Sequence, residues 1–129
     1  MTISPITVKH ISDFPYIEWV SESRCILRKP FYIVVERDSK EYKIFVPNDN
    51  LEYDGLTYKK ITALLQIEEG RSTPAWLIHD HLLLSQDDTF SRKEKDIIFR
   101  ELLKYLGYGP KRANIAYSLI RLYVFLFNK

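Results

Sequence analysis

The chain has 129 residues, enough for one domain of ordinary size, and with 46% hydrophobic residues it can form a core without disulfides or metals. Nineteen basic and seventeen acidic residues leave a net charge of +2, so the chain lacks the strong field that attracts nucleic acid or acidic lipid. The single cysteine, Cys25, excludes an internal disulfide and favours a reducing compartment.

The first 16 residues, punctuated by Pro5 and Pro15, predict an N-terminal arm or edge segment ahead of a single domain over residues 17–129. They lack the basic and apolar regions of a signal peptide. The most apolar stretch, residues 119–127, contains Arg121 and is far shorter than the about 20 residues needed to cross a bilayer. The sequence therefore predicts neither a signal peptide nor a membrane span.

Strand-forming residues dominate the first half of the chain. Residues 31–37 (FYIVVER) are dense in aromatic and β-branched side chains, and residues 41–46 (EYKIFV) alternate polar with apolar. The polar residues 38–40 between them predict a hairpin. Further strands are expected over residues 17–27 and 51–54.

The second half changes to helical spacing. A short helix is expected after Lys59 and before Gly70, and Ser72-Thr73-Pro74 predicts the start of a helix that runs to about Leu84. Ser91 and Glu94 form a capping box, and the helix behind it ends at Gly107. A last helix is predicted from Pro110 to about Phe127. The fold class is therefore α+β, with a small antiparallel sheet of three or four strands packed against three or four C-terminal helices.

Polar residues interrupt the first long helix at His79-Asp80-His81, between Trp76 and Leu83. Neighbours on a helix point about 100° apart, so His79 and Asp80 cannot both be fully exposed if the apolar residues are buried. A carboxylate beside a core needs a partner. One interpretation is a structural ion pair with His79 hydrogen-bonded nearby; the other is a general base or a metal ligand.

Charged residues on the following helices offer such partners. Arg92 and Asp96 are four residues apart and share a helix face, and Arg121 lies in the apolar segment SLIRLYVFLF. A network of aspartates and arginines joining three helices explains these residues without catalysis. Asp54, before Gly55, is typical of a tight turn. The predicted structural polar core is Asp54, His79, Asp80, Arg92, Asp96 and Arg121.

In their order along the chain, five segments resemble a family of uncharacterised, largely phage-encoded proteins. The resemblance covers roughly residues 30 to 125 and rests on Val46-Pro47, Asp54-Gly55-Leu56-Thr57, His79-Asp80-His81-Leu82-Leu83, residues 91–99 (SRKEKDIIF) and Ile120-Arg121. The chain departs from the family at Thr57, Lys59, Leu83 and Lys95. The resemblance implies a gene of a phage or other large DNA virus. It further implies a minor virion component, found in the virion or the host cytoplasm, that binds other virion proteins in multiple copies and needs no cofactor.

The His-Asp pair followed by a second Asp is also similar to secretory phospholipase A enzymes. That similarity implies that His79 activates a water, Asp80 binds calcium and Asp96 orients His79. The glycine-rich calcium loop of those enzymes has no counterpart here, and calcium usually takes six to eight oxygens. A hydrolase with His79 and Asp96 as catalytic residues and Asp80 as a divalent-cation ligand is therefore the alternative to a non-enzymatic protein.

Overall fold

Strands fill the first half of the described chain and helices the second, which confirms the α+β class. The computed structural model describes residues 5–22, 24–48, 52–54, 63, 65, 71–85 and 88–127. Its elements are β1 (Ile6–Ile11), β2 (Tyr16–Trp19), β3 (Arg24–Lys29), β4 (Phe31–Arg37), β5 (Lys40–Val46), β6 (Glu52–Asp54), α1 (Thr73–Ser85), α2 (Arg92–Tyr105) and α3 (Pro110–Phe127).

The hairpin of β4 and β5 has the predicted position. Its register pairs Arg37 with Lys40, so the loop consists of Asp38 and Ser39. Both loop residues have positive φ, at 56° and 62°. Positive φ at both central positions is the type I′ turn, whose twist matches that of the flanking strands.

The strands that the structure describes form two antiparallel sheets, whereas the sequence predicted one sheet of three or four strands. The strand orders are β1-β4-β5 and β2-β3-β6. The single strand predicted over residues 17–27 is divided into β2 and β3. The Val20 N–H donates to the Arg24 carbonyl at 2.9 Å and the Arg24 N–H donates to Ser21 Oγ at 3.1 Å, which closes a turn between them.

Residues 6–11 do not form a separate arm. They are β1, an edge strand that pairs antiparallel with β4. Ile6 and Val8 point into the core and Thr7 is exposed, as expected for a strand with one buried face. Of the two predicted forms, the edge segment therefore fits residues 6–11, because they pair with β4 and their Ile6 and Val8 side chains belong to the core.

The helix ends follow the predicted capping chemistry. Ser91 and Glu94 make both hydrogen bonds of a capping box at the start of α2. At its end Gly107 has a φ of 98°, and the N–H groups of Gly107 and Tyr108 donate to the carbonyls of Lys104 and Leu103. This pair of bonds is the Schellman motif, which favours glycine. The short helix predicted after Lys59 lies outside the described residues except for Ala63 and Leu65, which are helical.

Arg37, the last residue of β4, ties the sheet to the start of α2. Its Nη1 donates to Glu94 Oε2 at 2.9 Å and to the carbonyl of Thr89 at 3.0 Å. The guanidinium also lies over the rings of Tyr42 and Phe90. Glu94 therefore serves the capping box and the sheet together.

The core lies between the β1-β4-β5 sheet and the helices, with α2 packed against β1, α1 and α3. Its largest fully buried side chains include Leu27, Phe31, Ile33, Trp76, Ile98 and Leu102. Among the residues described, no helix is both long and apolar enough to cross a membrane. The packing of α2 between α1 and α3 determines which polar side chains of the three helices meet.

Candidate functional site

His79 lies in the part of α1 that faces the core. Its side chain is 2% exposed, and its ring centroid is 5.4 Å from that of Phe99 on α2. α1 carries apolar residues around most of its circumference, so the helix is buried over residues 73–79. A polar ring in such surroundings is stable only when its nitrogens are hydrogen-bonded.

Asp96 of α2 supplies a partner for His79. His79 Nε2 lies 2.6 Å from Asp96 Oδ1, and the Asp96 side chain is fully buried. An ionised carboxylate only accepts hydrogen bonds, so Nε2 carries the proton and donates it. The bond joins α1 to α2 through their facing surfaces.

Two arginines complete the group, which we call the Asp96 cluster: His79, Arg92, Asp96 and Arg121. Arg92 Nε donates to Asp96 Oδ1 at 3.2 Å from one turn earlier on α2. Arg121 Nη1 donates to Asp96 Oδ2 at 2.8 Å from α3. One carboxylate therefore accepts from all three helices, and both of its oxygens are engaged. The predicted ion pair falls on Asp96, which pairs with both arginines.

Electrostatics in the Asp96 cluster favour a neutral histidine and an ionised carboxylate. Burial lowers the pKa of His79; the hydrogen bond and the charge of Asp96 oppose this, but Arg92 and Lys95 add to the lowering. Burial by itself would raise the pKa of Asp96. The hydrogen bond from His79, together with Arg121 and Arg92, outweighs burial and holds the pKa of Asp96 below its ordinary value.

The two remaining predicted site residues are Asp80 and Asp54. Asp80 follows His79 on α1, about 100° round the helix, and is half-buried. Asp54 ends β6, where it is in register with Arg24 of β3. The rest of the predicted Asp54-Gly55-Leu56-Thr57 turn lies outside the described residues.

A metal site around Asp80 does not fit the side chains that the structure describes. Within that part of the chain, no three or more His, Cys, Asp or Glu side chains are grouped so that they could hold a metal ion. Calcium takes six to eight oxygen ligands, and Asp80 contributes one carboxylate.

The Asp96 cluster contains two parts of a general-base system and buries both. His79 is a base with an orienting carboxylate at hydrogen-bond distance, which is the arrangement such catalysis requires. A general base must also reach a water or substrate. A ring that is 2% exposed and packed on Phe99 is poorly placed to do so. The same contacts are well suited to fixing the positions of three helices.

A second histidine, His81, to which the sequence analysis assigned no role, lies at a cavity. His81 is half-buried, and its Nδ1 is 3.4 Å from the hydroxyl of the buried Tyr53. It helps line a cavity of about 200 Å³, which we call the β5–α1 groove: residues 42–45, His81, Leu82, Ser85, Thr89 and Phe90. The sequence indicates that His81 faces away from His79, because side chains two residues apart on a helix point about 200° apart.

A family model matches a segment of the chain that contains most of the Asp96 cluster. The family described as "Protein of unknown function (DUF1353)" matches residues 32–120, from β4 to α3. The match includes His79, Arg92 and Asp96 and ends one residue before Arg121. No curated protein and no solved structure matches the chain. Because the matched segment covers more than half of the 129 residues, the chain belongs to the DUF1353 family.

Proposed function

We propose that the protein is a non-enzymatic structural or accessory protein of a phage or other large DNA virus. It is a minor virion component that acts by binding other proteins. The proposal that the protein is not an enzyme is supported by the burial of His79, whose side chain is 2% exposed. The Asp96 cluster is then a structural joint between the helices.

The hydrogen bonds of Asp96 support this assignment. Its two oxygens accept three side-chain donors, and its side chain is fully buried. A carboxylate held in this way stabilises the packing of three helices and keeps the surface for binding in a fixed shape. A reaction centre needs instead a group that remains accessible to substrate.

The viral setting rests on the resemblance of the motifs to phage-encoded proteins. It is tested by growing a virus that encodes the chain and separating virions from lysate on a density gradient. Mass spectrometry should find the chain in the virion band at a constant ratio to the major capsid protein. A chain that stays entirely in the lysate contradicts the proposed virion role.

A hydrolase is the second candidate, because the 2.6 Å contact between His79 and Asp96 resembles the pair of a general base and an orienting carboxylate in phospholipase A. In that function His79 is the general base, and Asp80 would bind a divalent cation. Calorimetric titration with calcium and a lipid-release assay test it, with His79→Ala as the matched variant. We expect no calcium binding below millimolar and no lipid release above background. Release that His79→Ala abolishes would promote the hydrolase.

A further inference from the structure

The β5–α1 groove lies against the outer edge of a sheet. β5 is the last strand in the order β1-β4-β5, and among the described strands it pairs only with β4. An edge strand presents a row of main-chain N–H and C=O groups that another extended chain can pair with. The groove is therefore bounded on one side by main-chain donors and acceptors.

The hairpin register identifies which residues present these groups. In a two-residue hairpin the pair next to the loop, Arg37 and Lys40, exchanges both main-chain bonds, and such pairs then alternate along the strands. Lys40, Tyr42, Ile44 and Val46 therefore direct their N–H and C=O groups to β4. Those of Glu41, Lys43 and Phe45 point away from β4, towards the edge at which β5 pairs with no other described strand.

The lining of the groove agrees with this geometry. Four consecutive residues of β5, 42–45, contribute to it. Side chains alternate between the two faces of a strand, so consecutive residues can line one cavity only where the cavity meets the edge itself. On the opposite side, His81, Leu82 and Ser85 come from α1. The space between an edge strand and a helix is the setting in which proteins bind extended peptides by strand addition.

The side chains in the β5–α1 groove define the chemistry of an occupant. Ile44, Leu82 and Phe90 are buried apolar residues that can contact an apolar side chain. The polar members that the structure describes include Lys43 and His81 and no carboxylate. These groups favour an acidic side chain next to the apolar one.

We propose that the β5–α1 groove binds an extended segment of a partner protein, which pairs with the outer edge of β5. One apolar side chain of the segment enters the cavity, and an acidic neighbour lies near Lys43. The proposal rests on the proposed protein-binding function and assigns it a surface and a binding mode. The N–H and C=O groups of Lys43 and Phe45 make the main-chain bonds to the segment.

The probe is a fluorescein-labelled peptide, Thr-Val-Glu-Leu-Glu-Val-Thr, whose binding is followed by fluorescence anisotropy. Lys43→Pro removes the outward N–H and leaves the bonds of Tyr42 and Ile44 to β4. Its matched control is Lys43→Thr, which loses the same charge and keeps the N–H. Lys43→Pro should bind the probe about tenfold more weakly than Lys43→Thr, with an unchanged circular dichroism spectrum. Equal affinities of the two variants would overturn the proposal.

A second pair of variants tests the helix side of the groove without changing the strand. Ser85→Trp places a large side chain in the cavity and should abolish probe binding. Lys93→Trp, at an exposed position of α2, should bind as the wild type does. Wild-type protein that binds no probe at millimolar concentration, or Ser85→Trp that binds it normally, contradicts the assignment.

Two further results separate this proposal from the others. If sedimentation velocity shows a dimer that Lys43→Pro dissociates, and the probe does not bind, the occupant is a second copy and the partner-peptide assignment is wrong. If the probe does not bind but the chain is still found in virions, the groove assignment fails and the proposed function stands. A chain that binds the probe but stays in the lysate supports the groove and contradicts the virion role.

Discussion

Arg121 of α3 and Asp96 of α2 form the ion pair that joins the last helix to the rest of the polar cluster, with Nη1 and Oδ2 2.8 Å apart. The carboxylate is fully buried, whereas the Arg121 side chain is 33% exposed. Water therefore reaches the cation but not the anion. Loss of the arginine leaves the carboxylate with one fewer donor in a place where water does not replace it.

Arg121→Met should lower the free energy of unfolding by about 2 kcal/mol, a value for a charged hydrogen bond reduced by the exposure of the guanidinium. The methionine keeps most of the apolar stem, so the loss reports the missing bond. Urea denaturation measures it. Lys111→Met, at an exposed position of the same helix, should change stability by less than about 0.5 kcal/mol. Equal midpoints for Arg121→Met and wild type would show that the pair does not stabilise the fold.

Asp96→Asn should lower the free energy of unfolding by about 3–5 kcal/mol, more than the loss of either arginine does. The amide cannot balance two guanidinium charges, and its NH₂ group faces donors. The exposed Asp88→Asn is the control. In a double-mutant cycle, Arg121→Met should cost much less in the Asp96→Asn background than in the wild type. Additive losses would mean that the two residues act independently.

The protein should lose stability on acidification below about pH 6.5, the ordinary pKa of histidine. The pKa of His79 is lowered in the folded protein, so the unfolded chain binds a proton that the folded chain does not. The stability that the neutral His79 contributes is complete above about pH 6.5. It is lost as the pH falls towards the pKa of His79 in the folded protein. The lowered pKa of Asp96 acts in the same direction, beginning below about pH 4.

His79→Gln isolates the histidine contribution, because the amide can donate to Asp96 but does not titrate. Its free energy of unfolding should vary less than that of the wild type between about pH 7 and pH 5. Both proteins keep His10 and His81, so the difference between the curves belongs to position 79. Parallel curves would contradict a neutral, buried His79 in the folded protein.

Ile6→Ala tests whether β1 belongs to the core. Ile6 is 4% exposed, and a buried isoleucine truncated to alanine costs about 2–5 kcal/mol. We expect a loss of about 2 kcal/mol, at the low end of this range, because β1 is an edge strand. Thr7→Ala, on the exposed face of the same strand, should cost far less. If both variants melt with the wild type, residues 6–11 contribute little to the fold.

The elements that sequence alone predicts well are those whose local signals agree with their tertiary contacts. The segment FYIVVER is β4 without a change of boundary, and Ser91 and Glu94 mark the start of α2. The four-residue spacing of Arg92 and Asp96 also places them together. In each case the residues that give the signal lie within a single strand or within one turn of a helix.

The features that sequence did not predict depend on distant contacts or lack a local signal. The sequence between β2 and β3 contains neither Gly nor Pro, so it gave no signal that separated the two strands. β1 lies between two prolines and is defined by its pairing with β4. The groove next to His81 forms where α1 approaches the edge of β5, and this contact joins parts of the chain that are far apart in sequence.

The sharing of Glu94 between the capping box and Arg37 has a consequence for the order of folding. The two residues are 57 positions apart in sequence, so their contact forms only after a long loop has closed. The first turn of α2 is therefore fully stabilised only when the β4–β5 hairpin is in place. We infer that hairpin and helix gain their protection from hydrogen exchange together, as one cooperative unit, although the chain between them includes the whole of β6 and α1.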